Sequence, residues 1–445
     1  MADEAPLKRA ISPRMLVLFI IGDILGAGIY ALTGKVAGEV GGAIWVPFLV
    51  AFLLAGATAT AYAELAGKYP QAAGAALYTH KAFKRPFVTF LVAFAVLMSG
   101  ITSASAAARA FGGDYLAEFV DLPTVLVALG FVLGLAAINY WGIRESVRIN
   151  IVLTLVEVTG LLIILVIGAI ALLSGDGEPS RALEFDTENG VLLGVLGGTA
   201  LAFYALLGFE DTVNLAEETQ EPARAFPRAL MIGLLVTGGI YLGVAFVSSM
   251  ILPAAELAGS SGPLLAVVEG SGVSFPPKLF AAIALLAVAN TALINLIMAS
   301  RLLYGMARQG LVPRVLARVD SARKTPWVAI LLTVVIAAVL VSTGSLSGLA
   351  DTTVLLLLLV FTAVNIAVLV LRREPVEHRH FRAPTAIPAL GAVASLILAS
   401  PLTGRDADVY LRAGLLLAVG AVLWGIDRLV RGSTPEIDPE EISRA

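Results

Sequence analysis

A chain of 445 residues that is 58% hydrophobic, only 14% charged and of mean hydropathy +0.90 is too apolar to fold with water as its main solvent. It has no cysteine, which excludes disulfides, thiolate metal ligands and cysteine nucleophiles. Its 30 basic and 33 acidic residues balance to a net charge of −3, which offers nothing to a nucleic acid.

Apolar runs such as 87–108 and 152–173 each cover a bilayer core of about 30 Å. They continue to Val430, so the first is a retained span rather than a signal peptide. Hydropathy places twelve spans near 15–33, 43–66, 87–111, 122–141, 149–173, 191–215, 229–252, 278–304, 327–343, 348–371, 385–402 and 409–430. With a cytoplasmic N-terminus, 24 of the 30 basic residues fall inside, and only Lys35, Arg109, Arg181, Lys278, Arg405 and Arg412 outside. The positive-inside rule then sets both termini of a multi-pass cell-membrane protein in the cytoplasm. The outside segment 176–188 carries Glu178, Glu184 and Asp186, and Glu256 and Glu269 flank a Gly-Ser-Pro-rich stretch after span seven; both read as exposed loops. The tail 433–445 reads as disordered.

Spans one and six each carry glycine near the middle beside polar or acidic residues: GDILGAGIY from Gly22 to Tyr30, and FYALLGFED from Phe203 to Asp211. They lie five spans apart, and a five-span unit that opens on a broken helix and recurs inverted points to a midplane binding site. No residue identity between the halves supports the repeat, which rests on the two interruptions. The organisation expected is a tail 1–14, a first five-helix repeat 15–173, an extracellular loop 174–190, a second repeat 191–371, a loop with two more helices 372–430, and a tail 431–445.

Unwinding a helix in a bilayer frees N–H and C=O groups that only protein, water or a ligand can satisfy. Gly26 and Gly28 uncover the backbone, and the half-helix that follows offers N–H groups and its positive end to an anion such as a carboxylate. Carbonyls around Phe203, Ala205 and Leu206 are placed to accept from an ammonium group, with Gly208 permitting the break. The plainer reading of these glycines is close helix packing. A side chain at Gly28 is expected to block the N–H groups in a protein that still folds.

Four ordered motifs carry a resemblance over nearly the whole chain: GAGIY at Gly26–Tyr30, AYAELAGKYPQAAGAALY at Ala61–Tyr78, GFEDTVNLAEETQEPARAFPRA at Gly208–Ala229, and SRLLYGMARQGLVP at Ser300–Pro313 followed by Thr325-Pro326. The sequence resembles the amino acid-polyamine-organocation superfamily. The resemblance implies an all-α membrane protein of LeuT-type fold, with twelve helices in a 5+5 inverted repeat, broken helices 1 and 6, and two extra C-terminal helices. It implies a secondary active transporter, symporter or exchanger, that moves amino acids by alternating access. Its partners would be the substrate and the bilayer; the only cofactor would be a coupling ion, a proton or alternatively sodium. Gly26, Ala27 and Gly28 would bind the substrate carboxylate, and Phe203 and its neighbours the amino group. The substrate-binding set is then Gly26, Ala27, Gly28, Ile29, Phe203, Tyr204, Ala205, Leu206 and Gly208.

Three acids are candidates for coupling: Glu157, Glu210 and Asp23. Glu157 stands where some similar proton-coupled relatives have a lysine in place of a sodium ion. A buried acid is costly to keep ionised, so its proton can be loaded and released in a cycle. Against this, Glu157 can simply pair with a neighbour, Glu210 can cap a helix, and Asp23 can cap the break. Thr102, Ser103, Asn290 and Asn295 either face the pore or bridge helices. The alternatives are a polyamine or inorganic-cation carrier that uses the three acids as ligands, and a membrane sensor derived from a transporter. An enzyme would need a nucleophile with a base, or a metal cluster, within the spans, and the sequence offers neither. Which amino acid is carried, and the oligomeric state, are not written in the sequence.

Overall fold

The computed structural model describes residues 11–71, 74–141, 146–185, 190–216, 219–323 and 325–431. Among them the chain is helical, with two isolated β-bridges, Ile11 with Thr219 and Gly41 with Phe185. The tail 433–445 and Asp186 lie outside the described residues, as do Lys8, Arg9, Arg144, Lys324 and Arg444.

The first apolar run is two helices, α1 (Pro13–Ile24) and α2 (Ala27–Val40), bent by 42° at Leu25 and Gly26. Ser12 caps α1 by accepting from Met15 N–H, and Pro13 at the first position gives up no helical bond. There follow α3 (Trp45–Lys68), α4 (Gly74–Phe83), α5 (Pro86–Phe111), α6 (Asp114–Ala117), α7 (Thr124–Trp141) and α8 (Ser146–Ser174). The second interruption comes where α9 (Val191–Ala205) stops inside its apolar run. Among the described residues that follow, turns and the short 3-10 segment Thr212–Leu215 precede α10 (Pro222–Ile251). Then come α11 (Ala254–Gly259), α12 (Pro263–Gly270), α13 (Pro277–Arg308), α14 (Trp327–Thr343), α15 (Leu346–Leu371), α16 (Ala386–Ala399) and α17 (Ala407–Arg431).

Eight of these helices are long and apolar enough to cross a membrane, nine spans if the bent pair counts as one, and α9, α14 and α16 are shorter apolar helices. The protein is a multi-pass membrane protein. Hydropathy finds the apolar part of each helix and misses its polar turns: α10 begins at Pro222 rather than near 229 because Arg224 and Arg228 hide its first two turns. Span six ends ten residues early, at Ala205.

One loop expectation needs correction. The stretch after span seven folds as α11 and α12, with Leu257, Leu264, Leu265, Val267 and Val268 buried. It packs on α2 so closely that a Cβ at Gly34 would overlap the Leu257 carbonyl. Gly, Ser and Pro there punctuate two short buried helices rather than a solvated loop.

The interrupted helices sit at the centre. α2 packs on α9, α1 on α10, and α3 on both α9 and α10; α5 packs on α13, α14 and α15, and α13 on α7 and α8. α16 lies against α15 and α3, and α17 against α15 and α5. Small residues permit the approach, as where Gly22 meets Thr154 and Gly233 meets Ile20.

Candidate substrate site

The backbone groups freed at the first interruption are taken up by side chains from two other helices. Tyr241 of α10 donates its hydroxyl to Ile24 O (2.9 Å), and Thr291 of α13 accepts from Ala27 N–H (3.0 Å). The other N–H groups of the first turn of α2 have no acceptor within the helix itself. The second interruption lies directly against the first. Gly208 has φ +120°, and a Cβ there would overlap Asp23 O; a Cβ at Gly28 would fall 2.5 Å from Ala205 Cα. Glu210 closes the turn, its Oε2 accepting from Gly208 N–H at 2.9 Å.

A cavity of about 410 Å³ opens where the interruptions meet, a size suited to a small molecule. Asp23, Gly26, Ala27, Gly28, Tyr204, Ala205, Gly208 and Glu210 all line it, together with Asp211, Ser103, Thr291, Asn295 and Thr353. The N-terminus of α2 therefore forms one part of the wall. Three carboxylates, of Asp23, Glu210 and Asp211, lie within electrostatic reach of one another, and Asp23 Oδ2 is buried with no hydrogen-bond partner among the described residues. No group of three His, Asp or Glu among the described residues is arranged to hold a metal ion.

The cavity runs towards Asn214 and Arg301. One turn past the first interruption, outside the cavity wall, lies a cluster of aromatic rings. Tyr115 donates its hydroxyl to Tyr30 O (2.7 Å), the Tyr30 ring lies 6.5 Å from Tyr115 and 6.3 Å from Phe280, and all three are fully buried. Beyond them Asp114 accepts from the Ser260 hydroxyl and Ser261 N–H, each at 2.8 Å, which ties α6 to the start of α12.

Other expected site residues lie elsewhere. Ile29, Phe203 and Leu206 are buried but not in the cavity wall. The Phe203 ring packs 6.1 Å from Phe361, and its carbonyl accepts from Leu206 N–H at 3.1 Å. Glu157 on α8 is outside the wall and fully buried, and neither carboxylate oxygen has a hydrogen-bond partner among the described residues. Its backbone carbonyl accepts from the Tyr30 hydroxyl at 2.9 Å. Ser103 and Asn295 line the cavity; Thr102 sits behind it, 2.7 Å from Thr353 Oγ1, and Asn290 is outside the wall. Sequence reasoning missed Asp211, Thr291 and Tyr241. Asp211 stood inside a quoted motif, but nothing in a single sequence sets the register of α10 or α13 against the first break.

A family model described as amino acid permease matches residues 11–414. The branched-chain amino acid permease BcaP of Bacillus subtilis is 27% identical over 95% of this chain and 93% of its own. Cationic amino acid transporter 4 of Mus musculus is 29% identical over 83% of this chain, which spans 60% of the mouse protein. The methylthioribose transporter of Bacillus subtilis is 27% identical over 94% of this chain and 93% of its own.

Proposed function

Since the chain belongs to the amino acid permease family, we propose that it is a secondary active transporter, a symporter or exchanger, that carries amino acids across the cytoplasmic membrane by alternating access. The observation that carries this reading is the meeting of two interrupted helices at one cavity, with the N-terminus of α2 on one wall and three carboxylates on another. A substrate carboxylate accepts from the first N–H groups of α2. The ammonium group faces Ala205 and the acids of the second interruption.

Twelve spans in a 5+5 arrangement agree with the contacts. Exchanging each span of the first five with its counterpart five spans later turns the α1–α10 contact into α9–α3, α5–α15 into α13–α8, and α5–α14 into α13–α7; each member of these pairs exists. Five is odd, so the second unit starts on the other side of the membrane and is inverted. If the basic residues mark the cytoplasm, the cavity faces inwards and the Tyr30–Tyr115–Phe280 cluster lies towards the outside. Cysteines at the exposed Ser180 and Ser321 should react with an impermeant thiol reagent from outside and from inside respectively. The opposite pattern in sealed cells would reverse the orientation. Ala383 and Ser261 would be poor reporters, because Ala383 is buried and the Ser261 hydroxyl accepts from Asp114 N–H.

Coupling by protons falls first to Glu157, then to Glu210 and Asp23. Among the described residues Glu157 is buried without a partner for its carboxylate, beside Tyr30 one turn past the break, so a proton gained or lost there acts on α2 directly. Glu157→Gln is expected to keep substrate binding and exchange but to lose uphill accumulation driven by a pH gradient in proteoliposomes. Unchanged accumulation would pass the role to Glu210.

A second reading, a polyamine or inorganic-cation carrier, draws on the three carboxylates of the wall. A thermal-shift screen of the purified protein against amino acids and polyamines separates the two. Stabilisation by amino acids is expected; stabilisation by polyamines alone would select the second reading.

A further inference from the structure

Outside the substrate cavity, and sharing no residue with it, α7 and α14 part over a groove of about 360 Å³. Ala136 and Ala137 line it between the larger side chains of Leu133, Leu331 and Trp327. Leu133 and Leu331 are 60% and 55% exposed, on helices that cross or approach crossing the bilayer, so lipid is the solvent of this face. Apart from Tyr140 and Asp320 its lining is apolar, which suits an acyl chain.

The end of the groove that meets the α13–α14 connection is polar. The Arg323 guanidinium lies over the rings of Tyr140 (5.2 Å) and Trp141 (5.9 Å), an aromatic and basic pairing typical of the membrane interface. Asp320 is the one acid in this wall, and its oxygens are already engaged, by Arg323 N–H (2.8 Å), Ala322 N–H (2.9 Å) and the Tyr140 hydroxyl (3.2 Å). Those bonds, the Arg323 backbone first, together with the attraction of the Arg323 guanidinium, hold its carboxyl below the usual range. Among the described residues the Arg323 guanidinium makes no hydrogen bond and no ion pair within 4 Å, though its charge attracts the Asp320 carboxylate. Arg314 and Arg318 are exposed on the same connection, so its charge is positive.

We propose that this groove binds an anionic phospholipid, with one acyl chain along Ala136 and Ala137 and the phosphate at Arg323. Basic sites between membrane helices hold such headgroups, and each arginine is worth about fivefold in affinity. The test adds phosphatidylglycerol or phosphatidylcholine in mixed micelles to the purified full-length protein and reads thermal stability and the lipid retained in native mass spectra. Phosphatidylglycerol should stabilise the wild type and remain bound as one molecule per chain. Arg323→Gln should weaken that response about fivefold and leave any response to phosphatidylcholine unchanged. Ala137→Phe, at an exposed position, should remove the response while the amino-acid-induced shift persists. Equal responses to the two lipids, or an unchanged response in Arg323→Gln, would overturn the headgroup site. An unchanged response in Ala137→Phe would overturn the groove. Disulfide-linked dimers of Leu133→Cys in membranes would make the face a contact between two copies and overturn the proposal.

Discussion

Gly208→Val is expected to destabilise the protein by about 2–6 kcal/mol and to abolish transport. A non-glycine residue at φ +120° costs roughly 1–3 kcal/mol, and overpacking against a fixed neighbour costs roughly 1–3 kcal/mol more. The neighbour cannot give, because it is the Asp23 backbone carbonyl at the end of α1. Pushing it away separates the two interruptions whose contact defines the cavity. Thermal unfolding in detergent, with uptake in proteoliposomes, checks this; wild-type values for both would mean that the interruptions do not meet as described. Gly28→Val shares the problem, since its Cβ falls 2.5 Å from Ala205 Cα. The expectation of a folded Gly28 variant that merely loses substrate therefore does not hold, and Gly28 serves close packing whether or not its N–H group also binds.

The interruptions themselves were legible because glycine beside an acid in the middle of an apolar run contradicts an ordinary span. What lay against each interruption was not, since Tyr241 and Thr291 are ordinary helix residues until α10 and α13 are placed. Phe203 shows the same limit. Its place in the motif pointed to the site, but helical phase turns its ring to Phe361 while Tyr204 next to it faces the cavity. The short helices α11 and α12 were hidden because six or eight residues give hydropathy too little length to register.

Glu64→Gln is expected to cost about 3–5 kcal/mol, the usual consequence of leaving a buried charge without its partner. Arg372 donates through Nε to Glu64 Oε1 (2.7 Å) and through Nη2 to Oε2 (2.5 Å), and their side chains are 8% and 1% exposed. Ala383 N–H donates to Oε2 as well (2.9 Å), so the segment after α15 is held on the end of α3. Lys68 adds a bond to the Leu371 carbonyl and another to the Glu374 carbonyl (2.6 Å), and His378 Nε2 lies 3.0 Å from Gly67 O. The Tyr69 hydroxyl donates to Glu374 Oε2 (3.4 Å); burial and that carboxylate push it up to about 12, so it stays a donor at physiological pH. The double variant Glu64→Leu/Arg372→Met should regain part of the loss, because hydrophobic pairs of similar volume replace buried ion pairs at little cost, while Ala383 N–H and C=O lose their partners. Losses that simply add in the double variant would show that the two side chains do not act as a pair.

The central claim is that the N-terminus of α2 holds a substrate carboxylate, and titration of the purified protein with its stabilising amino acid and that amino acid's methyl ester tests it most directly. The two differ only at the carboxylate, and losing a charge-assisted hydrogen bond worth about 1.5–3 kcal/mol weakens binding by about tenfold to a hundredfold. The account predicts saturable binding of the free acid and a loss of that size for the ester; equal affinity for both would contradict it.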